Sequence, residues 1–341
     1  MATPTPLVAS TPARISYGIM LALLAMVGWL NLATLVLTAL FGYFVIRALS
    51  FGGRKWLAVT LYTVVVSALF VGLVYFSKQA YITLPKIANT SIPAVVEYAE
   101  QRGVDLPFTD FASLKVVALA EVRERFANVG TYLRGAMFEI ASLIIGLVLP
   151  VSLFLNSRFQ MEGDPHAVKG SLYSLASREL SLRFRTFYRS FSTVIGAQIV
   201  ISAINTFLTS GFLIWNDYPY VTVIIVLTFL CGLLPIIGNL LSNTLIIAVG
   251  FTLSPRIALF ALIFLVTIHK LEYFLNSKII GDRIKNPMWL TLIGLVVGER
   301  LMGIPGMILA PVILHYVKVE ASRSRVAETA APSFEDPGRD V

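Results

Sequence analysis

From Ser190 to Pro255 the chain runs for 66 residues with a single charged side chain, Asp217. A water-soluble domain cannot hide so long an uncharged stretch, so the surface of this part must face hydrocarbon, where only α-helices and closed barrels satisfy their own backbone. The rest agrees: 57% of the 341 residues are apolar and 13% charged, against roughly 45–50% and about 25% in soluble domains. A soluble enzyme, a collagen-like chain and a disordered chain are all excluded. The net charge, 27 − 19 = +8, would raise nucleic acid as a partner of a soluble protein. Here the basic residues sit in the loops beside apolar runs, so the partner is the lipid bilayer and no nucleic acid is expected. Cys231 is the one cysteine, which rules out an intrachain disulfide and a cysteine metal cluster.

The chain divides by composition. Residues 1–14 read as a disordered tail and 15–77 as N-terminal transmembrane helices. The uncharged run Ile15 to Ile46, at 1.5 Å per residue about 48 Å long, exceeds a core of about 30 Å and is read as two short helices bent near Gly28 and Asn31. A signal peptide is the alternative, but its apolar region would be too long and is followed by more apolar sequence. Residues 78–135 form an extracytoplasmic amphipathic segment, in which Leu119, Val122, Phe126, Val129 and Leu133 make an a/d seam for a partner helix or for the protein's own surface. A helix over 136–157 returns to the membrane, with a kink expected at Pro150. In 158–189, Arg178, Arg185 and Arg189 share one face opposite Leu180, Phe184, Phe187 and Phe191, the pattern of a basic interfacial helix with its aromatics toward acyl chains. Residues 190–317 form a transmembrane core with interrupted helices, and 318–341 a polar disordered tail. The fold class is therefore all-α: a polytopic membrane protein of about eight spans, with broken or re-entrant segments in its C-terminal half. The basic loops place both termini in the cytoplasm of a cell whose inner membrane holds the chain.

Helix breakers and ionisable groups within apolar segments mark candidate sites, because unsatisfied backbone and charge are costly there. Pro235 and Gly238 interrupt one segment, with Asn239 and Asn243 following at i, i+4. Either the broken helix lines a polar site, or it is a loop joining two spans. His269, Glu272 and Asn276 fall on one helical face at i, i+3, i+7 and could hold a proton, a cation or a polar substrate. Alternatively this is the cytoplasmic end of a span, where Lys270 and Glu272 snorkel. Glu299 and Arg300 interrupt the last apolar region beside Gly298, Gly303, Pro305 and Gly306, as the tip of a hairpin or as charges in a cavity. The three histidines, His166, His269 and His315, lack metal-ligand spacing. No metal, cofactor or catalytic set is expected, and no phosphate-binding loop is present for ATP-driven transport.

The motifs "LLPIIGNLL" (233–241) and "LEYFLNSKIIGDRIKNPMWLTLIGLVVGERLMGIPGMILAPV" (271–312) resemble those of the autoinducer-2 exporter family of bacterial and archaeal membrane proteins. The family's Pro-x-x-Gly turn is matched by Pro235 and Gly238, its Glu and Asn before Lys-Ile-x-Gly by Glu272, Asn276, Lys278, Ile279 and Gly281, and its closing glycines by Gly303 and Gly306 with Met307 and Pro311. Pro287 fits the intervening step; Asn286 stands where a His is common and Ser277 where a Pro is. The upstream "FYRSFSTVIGAQIV" is similar to the family's basic helix entering a span at Gly196 and Gln198. The resemblance implies a secondary transporter that exports a small polar signalling molecule or metabolite, or exchanges sodium or another monovalent cation for protons, and that forms homo-oligomers. Pro235, Gly238, Asn239, Asn243, His269, Glu272, Asn276, Glu299 and Arg300 are the candidate pathway residues. A scaffold that assembles partners through the amphipathic seam and the basic helix is the reading from another class.

Overall fold

The computed structural model describes residues 11–50, 54–104, 129–156, 170–235, 237–280 and 287–323. Among them the chain is all helix: α1 (Thr11–Trp29), α2 (Ala33–Ala48), α3 (Lys55–Glu100), α4 (Val129–Leu155), α5 (Leu172–Trp215), α6 (Val221–Gly232), α7 (Ile237–Leu253), α8 (Pro255–Ile280) and α9 (Met288–Arg323). Five of these are long and apolar enough to cross a membrane, and the fold is that of a polytopic α-helical membrane protein. All four tryptophans, Trp29, Trp56, Trp215 and Trp289, stand exposed at or beside helix ends. That is the placement of an interfacial aromatic belt. Arg47, Arg178, Arg185 and Arg189 mark one end of the bundle, the basic end, opposite the far end.

The break between α1 and α2 falls where the sequence reading put it, with Asn31 in the left-handed region (φ 53°). Glycines let α2 and α4 approach closely: a Cβ at Gly146 would meet Thr38, and one at Gly42 would meet Pro150 and the Tyr62 hydroxyl. α4 runs unbroken through Pro150, and the Tyr62 hydroxyl donates to the nearby Leu147 carbonyl (3.0 Å). The composition change at Ser77 is no change of structure, since α3 continues for 46 residues through Pro85 and Pro93. The a/d seam over 119–133 lies outside the described residues, apart from the helical backbone of its last residues in α4.

α5, 44 residues long, joins the basic segment and the following span in one helix. Most of its apolar face is covered by protein where acyl chains are expected: Leu180 is buried, and Phe187 and Phe191 are buried with Met20, Val312 and Tyr316, while Phe184 stays exposed. Arg178, Arg185 and Arg189 are exposed. Arg183 is turned inward. Its guanidinium donates to Glu320 (2.9 Å) and Glu179 (3.1 Å) and lies 4.2 Å from the Tyr17 ring centroid. The Tyr17 hydroxyl donates to the same Glu320 oxygen (3.2 Å). This cluster ties α1, α5 and α9 together, and it explains why α9 stays helical to Arg323 when Lys318 onward reads as a tail. The Arg183 and Glu320 side chains are 11% and 6% exposed, and removing one partner of a buried pair costs about 3–5 kcal/mol. Arg183→Met is therefore expected to lower the thermal midpoint of the detergent-solubilised protein sharply, and adding Glu320→Met to recover part of the loss. Additive losses in the double variant would contradict the pairing.

Two elements are hairpins. α6 and α7, about 18 and 26 Å long at 1.5 Å per residue, are too short to cross, and they pack against each other through Ile224, Ile246 and Val249. Their turn at Leu233–Pro235 meets the middle of α5, where side chains satisfy the carbonyls that end α6. Gln198 donates to the Gly232 oxygen (2.6 Å) and Ser202 to that of Phe229 (2.8 Å), as backbone freed within a membrane requires. α9 folds back at Gly303 (φ 62°, ψ −149°), a conformation essentially confined to glycine. Its arms touch where a Cβ at Gly298 would run into the Gly306 backbone, and one at Gly306 into that of Gly298. α9 packs on α1, α2 and α5, and Phe187 meets Tyr316 (5.5 Å between centroids). Continued along the two antiparallel helices, that register carries the turn to the height of about Val200, one level with the α6–α7 turn.

Candidate functional site

A polar stripe on α5 defines the interior site. Gln198, Ser202, Asn205 and Thr209 recur at steps of four, three and four, so they share one face. The lower pair holds the α6–α7 turn. The upper pair faces Thr228 of α6, Asn239 and Ser242 of α7 and Glu272 of α8 around a cavity of about 20 Å³. Asn239 is brought there by the turn that precedes it. Gly238 lies so close to the Cys231 carbonyl that a Cβ would overlap it, which fixes α7 against α6 and aims Asn239 at the carboxylate.

Glu272 is the focus. Its Oε2 accepts from Asn239 Nδ2 (2.7 Å) and from Asn205 Nδ2 (3.3 Å), and His269 Nδ1 stands 3.7 Å away. The Glu272 side chain is only 12% exposed, whereas that of His269 is 70% exposed. His269 therefore forms the rim. Among the described residues neither Lys nor Arg pairs with Glu272, so two amide dipoles make its hydrogen bonds and the imidazole at the rim is its one basic neighbour among those residues. Two further oxygens, Asn205 Oδ1 and Thr228 Oγ1, are buried without a hydrogen-bond partner. A buried carboxylate with neutral oxygens left over can take up a proton or a bare monovalent cation, to which hard oxygen ligands are suited. A cavity of about 20 Å³ has room for one water-sized occupant.

Other candidate residues lie elsewhere. Asn243 lines the same cavity, and Pro235 forms the turn below it. Glu299 and Arg300 are exposed, one turn before Gly303, and they do not line the cavity. Gly303 and Gly306 shape the α9 hairpin; Pro311 is in its second arm and Pro287 precedes its first. The side chains of Asn276 and Lys278, together with Gly281, lie outside the described residues. Asn205 was not among the residues singled out in the sequence. The stripe with Gln198, Ser202 and Thr209, in a run with no charge, is the signal that reveals it.

One hairpin too short to cross, α6–α7, and a carboxylate enclosed with it by α5 and α8 define a polytopic membrane protein with an ionisable site in its interior. The chain belongs to the AI-2E transporter family, whose family model, described as AI-2E family transporter, matches residues 12–322. It is similar to two Bacillus subtilis (strain 168) proteins, YdbI and YueF, each named "Putative transport protein". Identity to YdbI is 26% over 190 residues, 55% of this chain and 54% of YdbI, so the match spans about half the length of that relative. Identity to YueF is 26% over 308 residues, 80% of this chain and 82% of YueF.

Proposed function

We propose that the protein is a secondary transporter of the cell inner membrane, with both termini cytoplasmic, in which Glu272 is the coupling group and a proton and a monovalent cation are its alternative occupants. The observation that carries this reading is the Glu272 carboxylate itself, 12% exposed, held by two amides with no Lys or Arg partner among the described residues and only the exposed His269 imidazole 3.7 Å away at the rim. Protonation or a bound cation removes its uncompensated charge, and either lowers the cost of moving it through a low-dielectric interior. The cavity's size favours cation–proton exchange as the event at this site. Export of a small polar signalling molecule or metabolite, which membership in the family suggests, needs a larger space. The scaffold reading gives the buried carboxylate no task.

The amides set the affinity. Asn239 makes the shorter bond to Glu272 (2.7 against 3.3 Å), and a hydrogen bond to a charged group is worth about 1.5–3 kcal/mol. Asn239→Ala is expected to shift the half-saturating sodium concentration for exchange in proteoliposomes by roughly ten-fold, and Asn205→Ala by less. Folded yield of both should stay near wild type. An unchanged half-saturation with a large loss of folded protein would make Asn239 structural.

A further inference from the structure

The helices that hold the Glu272 site carry a second, separate cavity. Thr209, Thr228 and Ser242 face the first one. Toward the far end the same helices close on one another through Leu213, Ile224, Ile246, Ala261 and Leu265, all buried. Beyond that apolar layer a cavity of about 120 Å³ opens between α3, the α5–α6 link and α7. From Thr228 to Tyr220 along α6 the two cavities are about 12 Å apart, at 1.5 Å per residue.

This outer cavity is equipped to bind a ligand. Ser91 of α3 lines it, is 3% exposed, and its hydroxyl has no hydrogen-bond partner. A buried hydroxyl left so is costly unless something joins it. Independently, α6 begins at this wall with no side-chain cap on its N-terminus, after Pro219 and a left-handed Tyr220 (φ 58°). First-turn N–H groups of a helix seek an oxygen acceptor, and here those of Val223 and Ile224 already donate to the Tyr220 carbonyl, which leaves Val221 and Thr222. Thr90 and Thr252 already donate to the Lys86 and Val249 carbonyls, so they offer lone pairs only. Ile87 and Val249 supply apolar walls, and none of the described lining residues is charged.

We propose that this cavity is a second solute site, for a small uncharged molecule bearing hydroxyl or carbonyl oxygens, separated from Glu272 by the apolar layer. A charged solute would enter without a counter-charge, whereas a polyol matches one hydroxyl donor and two hydroxyl acceptors set between apolar walls. The inference rests on the transporter reading above and adds a substrate class to it: the ion is held at Glu272 and the solute on the far side of the layer, which must part for passage.

The test uses the full chain in proteoliposomes, with Cys231→Ala to remove the native thiol and Ser91→Cys or, separately, Thr252→Cys as reporters. The rate of modification by the impermeant trimethylammonium-ethyl methanethiosulfonate is read with erythritol, choline chloride or sodium lactate at matched osmolarity. Erythritol is expected to slow modification at Thr252→Cys along a single-site curve and at Ser91→Cys, which has lost the hydroxyl donor, only at roughly five-fold higher concentration, and the two salts to leave both unchanged. In the Thr252→Cys protein, Ser91→Ala should weaken erythritol protection roughly five-fold, the loss of one neutral hydrogen bond. No protection by erythritol, or equal slowing by all three solutes, overturns the proposal. Failure here with Glu272-dependent exchange intact rejects the second site alone. Protection that persists while Glu272→Gln leaves exchange unchanged rejects the coupling role instead.

Discussion

Glu272→Gln is expected to abolish gradient-driven exchange in proteoliposomes while leaving the protein folded. The substitution keeps the shape and an oxygen that can still accept from Asn205 and Asn239, so the local cost is small. What it removes is the charge. Losing a charge-assisted contact worth about 1.5–3 kcal/mol weakens cation binding roughly 10- to 100-fold, and an amide cannot exchange that cation for a proton. Glu272→Leu serves as the contrast, because it leaves the Asn205 and Asn239 amides buried without their acceptor and should lower stability as well. If Glu272→Gln exchanges sodium for protons at the wild-type rate, the carboxylate is a structural element of the α5–α7–α8 contact.

A large loss of stability is also expected from Gly238→Ala and Gly306→Ala. At each position the added Cβ meets backbone: the Cys231 carbonyl in one hairpin, Gly298 in the other. Backbone held in the hydrogen-bond ladder of a helix cannot step aside as a flexible side chain can. Overpacking costs about 1–3 kcal/mol where neighbours give way, and these sites belong at the upper end. Gly196→Ala is the control, with nothing within 4 Å of its Cβ and an expected change within about 0.5 kcal/mol. Thermal midpoints of the three purified variants settle the matter; three equal values would show that the hairpins are not held by close backbone approach. The damage from Gly238→Ala should also reach function, since Asn239 is the next residue.

The same two glycines show why much of the site is legible in the sequence. Helix breakers in an apolar run stand out by composition, and Pro235 with Gly238 and Gly303 with Gly306 each mark a hairpin whose backbone must turn inside the membrane. Glu272 and Asn239 stand out for a related reason, as polar groups where hydrocarbon penalises them. Legibility ends where partners are distant in the chain. Arg183 and Glu320, 137 positions apart, look like ordinary surface charges until α5 and α9 are packed together. Phe187 and Phe191 have the periodicity of a lipid-facing stripe, and only the fold shows that α1 and α9 cover it. Glu299 and Arg300, as apolar-run charges, carry the same signal as Glu272 but prove to be exposed beside a hairpin turn. Asp217, the single charge in the long uncharged stretch, is exposed in the link at the far end of α5, in the left-handed region (φ 49°). It leaves the interior of that stretch without charge and the site dependent on one carboxylate from α8.

On the proposed exchange, a proton and a monovalent cation compete for Glu272. The most direct measurement is proton release on adding sodium chloride to the purified, weakly buffered protein, across the pH range in which it stays folded, with choline chloride as the ionic-strength control. Sodium-specific release that saturates in the wild-type protein and vanishes in Glu272→Gln is the expected result. Equal release in the two proteins, or release that choline reproduces, would contradict it.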